Sequence, residues 1–175
     1  VREAFDAIHA PGIPHVVVTG GEPFIQAGEL VDLCSLLGQV EHHTTVETNA
    51  TIYAPIEAQL VSMSPKLSNS SPPKDTRAFA WHESRRIVPD VIQAFLRDHD
   101  CQVKFVVDRP EDVSEIDELV DLVPIPRDLV VLMPQGRTAD EVRGRMTWLA
   151  HVAADSGYRL SPRLHVDLWG TQRGV

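Results

Sequence analysis

The sequence predicts an α/β domain built on a mainly parallel, curved or barrel-like sheet, and three observations carry that expectation. Six short β-branched runs alternate with stretches of helical spacing, which is the pattern of strands joined by crossover helices. Glycine-rich or polar clusters follow the carboxyl ends of most of these runs. Two of the runs alternate apolar and polar residues, whereas strands sandwiched in a flat doubly wound sheet read apolar on both faces.

The runs are Pro14 to Thr19, Thr44 to Thr48, Gln59 to Ser64, Cys101 to Val107, Leu129 to Met133 and Arg163 to Trp169. Val1 to Ala10 reads as the end of a helix. Leu30, Val31, Cys34 and Leu37 mark the next helical stripe, ended by Gly38. Ile87, Val88, Val91, Ile92, Phe95 and Leu96 form another. Val113, Ile116, Leu119, Val120 and Val123 form a third, stopped by Pro124. The last helix is the best signalled: Thr138 and Glu141 make a capping box, Asp140 adds a first-turn acid, and Gly157 is a stop. Leu67 to Ala80, rich in Ser, Pro and Lys, reads as a long loop of the kind that serves as a lid. Two strands show the alternation. Cys101, Val103, Phe105 and Val107 share a face opposed by Gln102 and Lys104. Leu164, Val166 and Leu168 share one opposed by Arg163, His165, Asp167 and Trp169.

At 175 residues with 43% apolar content, the chain is long enough for a single domain over 1–175 with a sizeable core. Its formal net charge of −9 argues against a general nucleic-acid or anionic-membrane binder, whose affinity rests on neutralising phosphates. No apolar run approaches the roughly 18 residues of a membrane span. Cys34 and Cys101 are too far apart in sequence for a CxxC metal knuckle, and each falls on an apolar stripe, as a core cysteine does. A reduced, cytoplasmic setting is the expectation.

The chemistry is expected at the strand ends, because in parallel α/β folds the strand-to-helix loops converge there. Gly20 and Gly21 let a backbone approach a ligand without a Cβ in the way, and Glu22 offers a carboxylate for an ammonium group. The same residues, with Pro23, also spell an ordinary turn. Glu47 and Asn49 have one parity on their strand, which suits a ribose diol as well as it suits a structural network. Lys66, after Ser64 and Pro65, supplies a point charge for a carboxylate or is a solvated loop lysine. Met133, Pro134, Gln135 and Gly136 close a further strand. The histidines give weaker signals. His42 and His43 are neighbours on one strand, so they face opposite ways and cannot readily share a metal. His82 and Glu83 read as a helix N-terminus, and His165 with Asp167 as one face of the last strand.

Taken together, these clusters resemble a known family. Val18-Thr19-Gly20-Gly21-Glu22-Pro23, then Val46-Glu47-Thr48-Asn49, then Ser62-Met63-Ser64-Pro65-Lys66-Leu67-Ser68-Asn69, and the tail from His165 through Trp169-Gly170 to Val175 are similar, in order, to the radical S-adenosylmethionine family of 7-carboxy-7-deazaguanine synthases. The Gly-Gly-Glu motif is common to many radical S-adenosylmethionine proteins. The Ser-Pro-Lys segment with its Ser-Asn continuation and the Trp-Gly tail are more specific.

The resemblance implies an incomplete, shortened (β/α) barrel of the TIM type and a homodimer. It implies that Gly20, Gly21 and Glu22 hold the methionine end of S-adenosylmethionine, that Ser64, Pro65 and Lys66 contact the cofactor, and that Met133 to Gly136 flank its adenine. Thr19 and the terminal carboxylate of Val175 would meet a pterin substrate, while ribose binding by Glu47 and Asn49 comes from strand parity alone. The implied reaction cleaves S-adenosylmethionine to a 5′-deoxyadenosyl radical. That radical starts ring contraction of 6-carboxy-5,6,7,8-tetrahydropterin to 7-carboxy-7-deazaguanine with loss of ammonia, a step toward queuosine-type bases. A 4Fe–4S cluster, Mg²⁺ and an external electron donor such as flavodoxin belong to the same expectation.

One departure stands out. The CxxxCxxC loop that ligates the family's cluster is missing from this sequence, and the magnesium ligand and substrate-binding arginine beside it are missing too. The expectation is therefore a chain that lacks the amino-terminal portion of the enzyme, holds no catalytic or metal-binding residue itself, and is inactive alone. The alternatives are another radical S-adenosylmethionine enzyme, such as a glycyl-radical activase, or a cluster-free module that binds a nucleoside or pterin. The former need not share the Ser-Pro-Lys segment. The latter keeps measurable affinity for a ligand in isolation.

Overall fold

The computed structural model describes residues 1–172, and over these the chain is α/β. In chain order the elements are α1 (Arg2–His9), β1 (His15–Val18), α2 (Ala27–Gln39), β2 (His43–Thr48), β3 (Leu60–Met63), α3 (Arg77–Glu83), α4 (Pro89–Asp98), β4 (Cys101–Val107), α5 (Pro110–Leu122), β5 (Val130–Pro134), α6 (Ala139–Ser156), β6 (Arg159–Leu160) and α7 (Leu164–Trp169). The described residues fall into two compact units, one of residues 1–65 with 85–102 and the other of residues 66–84 with 103–172.

In the first unit β1, β2 and β3 lie side by side in chain order and run parallel, with Val18 level with Val46 and Thr48 level with Met63. Strands in chain order have no reversal point, the feature that seats ligands in doubly wound sheets. The crossover helices follow from apolar spacing. Leu30, Cys34 and Leu37 of α2 and Ile92 and Phe95 of α4 are buried, as are Val16, Val46, Val61 and Met63 of the strands. Phe24 packs edge-on against Phe95 with centroids 5.1 Å apart. Phe5 of α1 joins Val16 and Leu37 in a smaller cluster.

In the second unit β4 from Val103 onward, β5 and β6 are again parallel and in chain order, with Phe105 level with Leu132 and Leu132 level with Leu160. The expected alternation along β4 is present. Cys101, Val103, Phe105 and Val107 are buried, while Gln102, Lys104 and Val106 between them are half-buried. Helix α6 begins and ends where its signals lie. The Thr138 hydroxyl accepts the Glu141 N–H while the Glu141 carboxylate reaches back to the Thr138 N–H, and Gly157 turns left-handed at φ 70°. No helix among the described residues is long and apolar enough to cross a membrane.

Two sequence expectations are corrected. Arg163 to Trp169 is not a strand: residues Leu164–Trp169 form α7, and only Val166 is buried there, with Leu164 and Leu168 exposed. The place beside β5 belongs to Arg159 and Leu160. The ladder stops after the Ser161 N–H reaches the Leu132 carbonyl, because Pro162 has no N–H to extend it. His165 and Asp167, two apart on a helix, do not face each other. The segment from Leu67 to Ala80 is likewise not all loop. It holds a 3-10 turn at Ser68–Ser70, and α3 starts at Arg77, so His82 and Glu83 close a helix rather than open one.

Candidate functional site

Strand register in the first unit builds a rim. Because Val18 is level with Val46, Thr19 lies beside Glu47, and its hydroxyl donates to Glu47 Oε2 at 3.2 Å. Because Thr48 is level with Met63, Ser64 follows beside Asn49, and the Ser64 N–H donates to the Thr48 carbonyl at 2.7 Å. Thr19, Glu47, Asn49 and Ser64 thus stand together at the carboxyl ends of three parallel strands, the end where such sheets bind ligands. Pro65, next in the chain after Ser64, is buried.

Glu22 joins the rim in a way the sequence did not reveal. Its carboxylate is nearly buried and accepts three hydrogen bonds: Oε1 from the Phe24 N–H at 3.1 Å and the Thr48 hydroxyl at 2.8 Å, and Oε2 from the Asn49 N–H at 2.7 Å. The first of these caps the short 3-10 turn Pro23–Gln26; the other two tie that turn to the end of β2. A carboxylate has about four acceptor sites, so roughly one remains for an ammonium group. Gly20 and Gly21 stand just before it, and a Cβ at either would meet nothing within 4 Å. Their main chain therefore borders open space, as a close approach by a ligand requires.

Beyond Thr48 the chain turns sharply. The Thr48 hydroxyl oxygen accepts the Ala50 N–H at 3.0 Å, and Asn49 Oδ1 accepts both the N–H and the hydroxyl of Thr51 at 3.0 and 2.6 Å. Ala50 is buried and left-handed at φ 59°, a strained conformation for alanine that this network holds in place. With its carbonyl occupied, Asn49 keeps its amide N–H groups as donors to the rim.

In the second unit Lys66 is exposed between buried Leu67 and the Pro65 that precedes it. Met133 and Gln135 are half-buried at the end of β5, and the Gln135 N–H donates to the Val107 carbonyl at 2.7 Å. Gly136 has a packing reason of its own. A Cβ there would lie 2.9 Å from Val142 Cγ2 and 3.0 Å from the Val142 nitrogen, so only glycine lets the loop cross the start of α6. Its carbonyl accepts from Arg163 Nη1 at 3.1 Å. Val175 lies outside the described residues.

The neighbouring histidines part as strand parity demands. His42 is buried and meets His9 of α1, with His9 Nδ1 and His42 Nε2 3.1 Å apart. His43 points the other way and lies beside His15 of β1, with ring centroids 5.0 Å apart. Cys34 and Cys101 are both core residues, and burial pushes their thiols up to about 11 and about 12. Neither is suited to ligate a cluster, which needs thiolates. Among the described residues no group of three or more His, Cys, Asp or Glu could hold a metal ion.

Several polar residues that matter here were missed in the sequence. Thr48 is one: it has the opposite parity to Glu47 and Asn49, and only the long-range bond to Glu22 reveals its part. Ser62, level with Glu47, accepts from Gln102 Nε2 at 2.9 Å. Asp112 is buried at the start of α5 and holds Asn69.

No family model matches the chain. Curated proteins do. The chain is 41% identical over 167 residues to a 7-carboxy-7-deazaguanine synthase of Halobacterium salinarum, covering 89% of this chain and 65% of that protein. It is 35% identical over 178 residues to the Rhodopirellula baltica protein of the same name, covering 100% and 69%. It is 34% identical over 172 residues to the one from Pyrobaculum aerophilum, covering 93% and 68%. The chain thus spans about two thirds of the length of these relatives.

Proposed function

The chain belongs to the 7-carboxy-7-deazaguanine synthase family, and we propose that it carries the S-adenosylmethionine-binding rim of such an enzyme. The observation that supports this most directly is the Thr19, Glu22, Glu47, Asn49 and Ser64 constellation at the carboxyl ends of three parallel strands, with open glycine backbone beside it. The reaction is the radical ring contraction of 6-carboxy-5,6,7,8-tetrahydropterin to 7-carboxy-7-deazaguanine with loss of ammonia, in the making of 7-deazapurine bases of the queuosine type.

In this reading Gly20, Gly21 and the remaining acceptor site of Glu22 take the methionine ammonium group. Glu47 and Asn49 present an acceptor and donors to the ribose diol. Ser64, Pro65 and Lys66 contact the cofactor, and Met133 to Gly136 flank the adenine. Thr19 touches the pterin. S-adenosylmethionine supplies the radical chemistry when bound, and the chain's part is to orient it and to keep stray hydrogen donors away. The described residues do not fit an iron–sulfur cluster or Mg²⁺, so no step is assigned to either within this chain. Residues 1–175 act as one radical S-adenosylmethionine core in a cytoplasmic homodimer served by an electron donor such as flavodoxin.

The test is turnover by the protein from the complete reading frame, reconstituted anaerobically with iron and sulfide. Given S-adenosylmethionine, reductant and the tetrahydropterin, it should release 5′-deoxyadenosine and 7-carboxy-7-deazaguanine together. Release of 5′-deoxyadenosine with the pterin left intact would overturn the substrate assignment. Absence of S-adenosylmethionine binding would overturn the rim.

A further inference from the structure

We propose that Ser68 and Asn69, held by Glu115 and Asp112 of α5, are positioning residues that set where Lys66 presents its ammonium group. The inference rests on the reading that Lys66 contacts S-adenosylmethionine. A lysine side chain is long and rotamer-rich, so its reach is defined only as well as the backbone that carries it. Here that backbone is anchored close by. Leu67 is buried at 2% exposure, and the 3-10 turn after it is fastened to α5 on the same helical face, since Asp112 and Glu115 stand three residues apart.

Five hydrogen bonds make the fastening, four to α5 and one to β4. The Ser68 N–H donates to both Glu115 oxygens at 3.1 and 3.0 Å, and its hydroxyl donates to Oε2 at 2.7 Å. Asn69 Nδ2 donates to Asp112 Oδ2 at 2.7 Å and to the Val106 carbonyl at 3.0 Å. Asp112 is only 1% exposed, and a buried carboxylate is costly unless donors surround it. The Asp108 and Arg109 N–H groups supply two donors at 2.8 and 3.2 Å, and Asn69 supplies a third from the loop. The carboxylate caps the start of α5 and pairs with the Arg109 guanidinium at 3.6 Å, and the Asn69 amide ties the loop to that same fixed cap. A loop returning to one place reduces the ordering cost when a ligand arrives. This gives the Ser-Asn continuation of the Ser-Pro-Lys segment a physical purpose.

The test is a double-mutant cycle on S-adenosylmethionine affinity in the complete, cluster-reconstituted enzyme, with thermal unfolding recorded alongside. Asn69→Ala and Glu115→Ala should each raise Kd about three- to tenfold when Lys66 is present. In a Lys66→Ala background neither should change Kd further, because the group they position is gone. Glu115→Gln, which still accepts from Ser68, should behave close to the parent, and Glu115→Ala carries the cycle if Asn69→Ala does not fold. Equal losses with and without Lys66 would overturn the positioning role, as would unchanged affinity in Asn69→Ala and Glu115→Ala while Lys66→Ala weakens binding. Unchanged affinity in Lys66→Ala alone would instead bring down the cofactor contact on which the inference rests.

Discussion

The Glu22 carboxylate receives the backbone N–H of Asn49 at 2.7 Å, a bond between residues 27 apart in the chain that joins the turn after β1 to the end of β2. With the Thr48 and Phe24 bonds it makes Glu22 a structural member of the rim as well as a proposed ligand for an ammonium group.

Glu22→Ala should therefore destabilise the chain itself. Three donors in a nearly buried place lose their acceptor, and leaving such groups unpaired costs about 1–3 kcal/mol each before any water enters. A net loss of about 2–3 kcal/mol is expected, with Glu22→Gln milder because one amide oxygen still accepts. Urea unfolding should show a lower midpoint at unchanged slope. A midpoint equal to the parent's would mean that the bonds contribute nothing.

Gly136→Ala should cost about 1–3 kcal/mol by overpacking. The new Cβ would lie 3.0 Å from the Val142 backbone nitrogen and 3.1 Å from Glu141 Cβ, and a helix start cannot move aside as a side-chain tip can. Differential scanning calorimetry on Gly136→Ala is the check. Unaltered stability would show that the loop shifts freely.

Alkaline pH should weaken the fold. Burial raises Cys34 to about 11 and Cys101 to about 12, and burial with the Asp117 hydrogen bond holds the Tyr158 hydroxyl above its ordinary range. A raised folded-state value contributes stability that is full below the ordinary value and is lost as pH rises past it. For these groups the decline should begin near pH 9 and continue upward. A melting temperature that stays flat from pH 8 to pH 11 would contradict it.

The two thiols should also be slow to react. In the native chain at pH 8 a thiol reagent should label neither Cys34 nor Cys101, and both should label in denaturant. Rapid labelling of either in native conditions would show that its part of the core opens readily.

Features encoded within a few residues were legible. The capping box of Thr138 with Glu141 and the Gly157 stop delimit α6 because both depend on contacts no more than four residues apart. The burial alternation of β4 follows from a two-residue period that any strand has. The same period misled at Leu164 to Trp169, where leucine and valine also alternate with polar residues. There the missing N–H of Pro162 ends the ladder, and a short helix forms instead.

By itself, then, the sequence determined the parallel α/β class, the order of the first five strands, the caps of α6, and the rule that His42 and His43 must face apart. It also carried the family, through motifs spread along the whole chain. Tertiary structure decided the partners: His9 for His42, His15 for His43, Glu22 for Thr48 and Asn49, Asp112 for Asn69. Periodicity and capping are local properties of a chain, whereas a polar side chain takes whichever donor or acceptor strand register and helix packing bring within reach. That choice is written in no short stretch of residues, and it is what turns Glu22 from a turn residue into the brace of the rim.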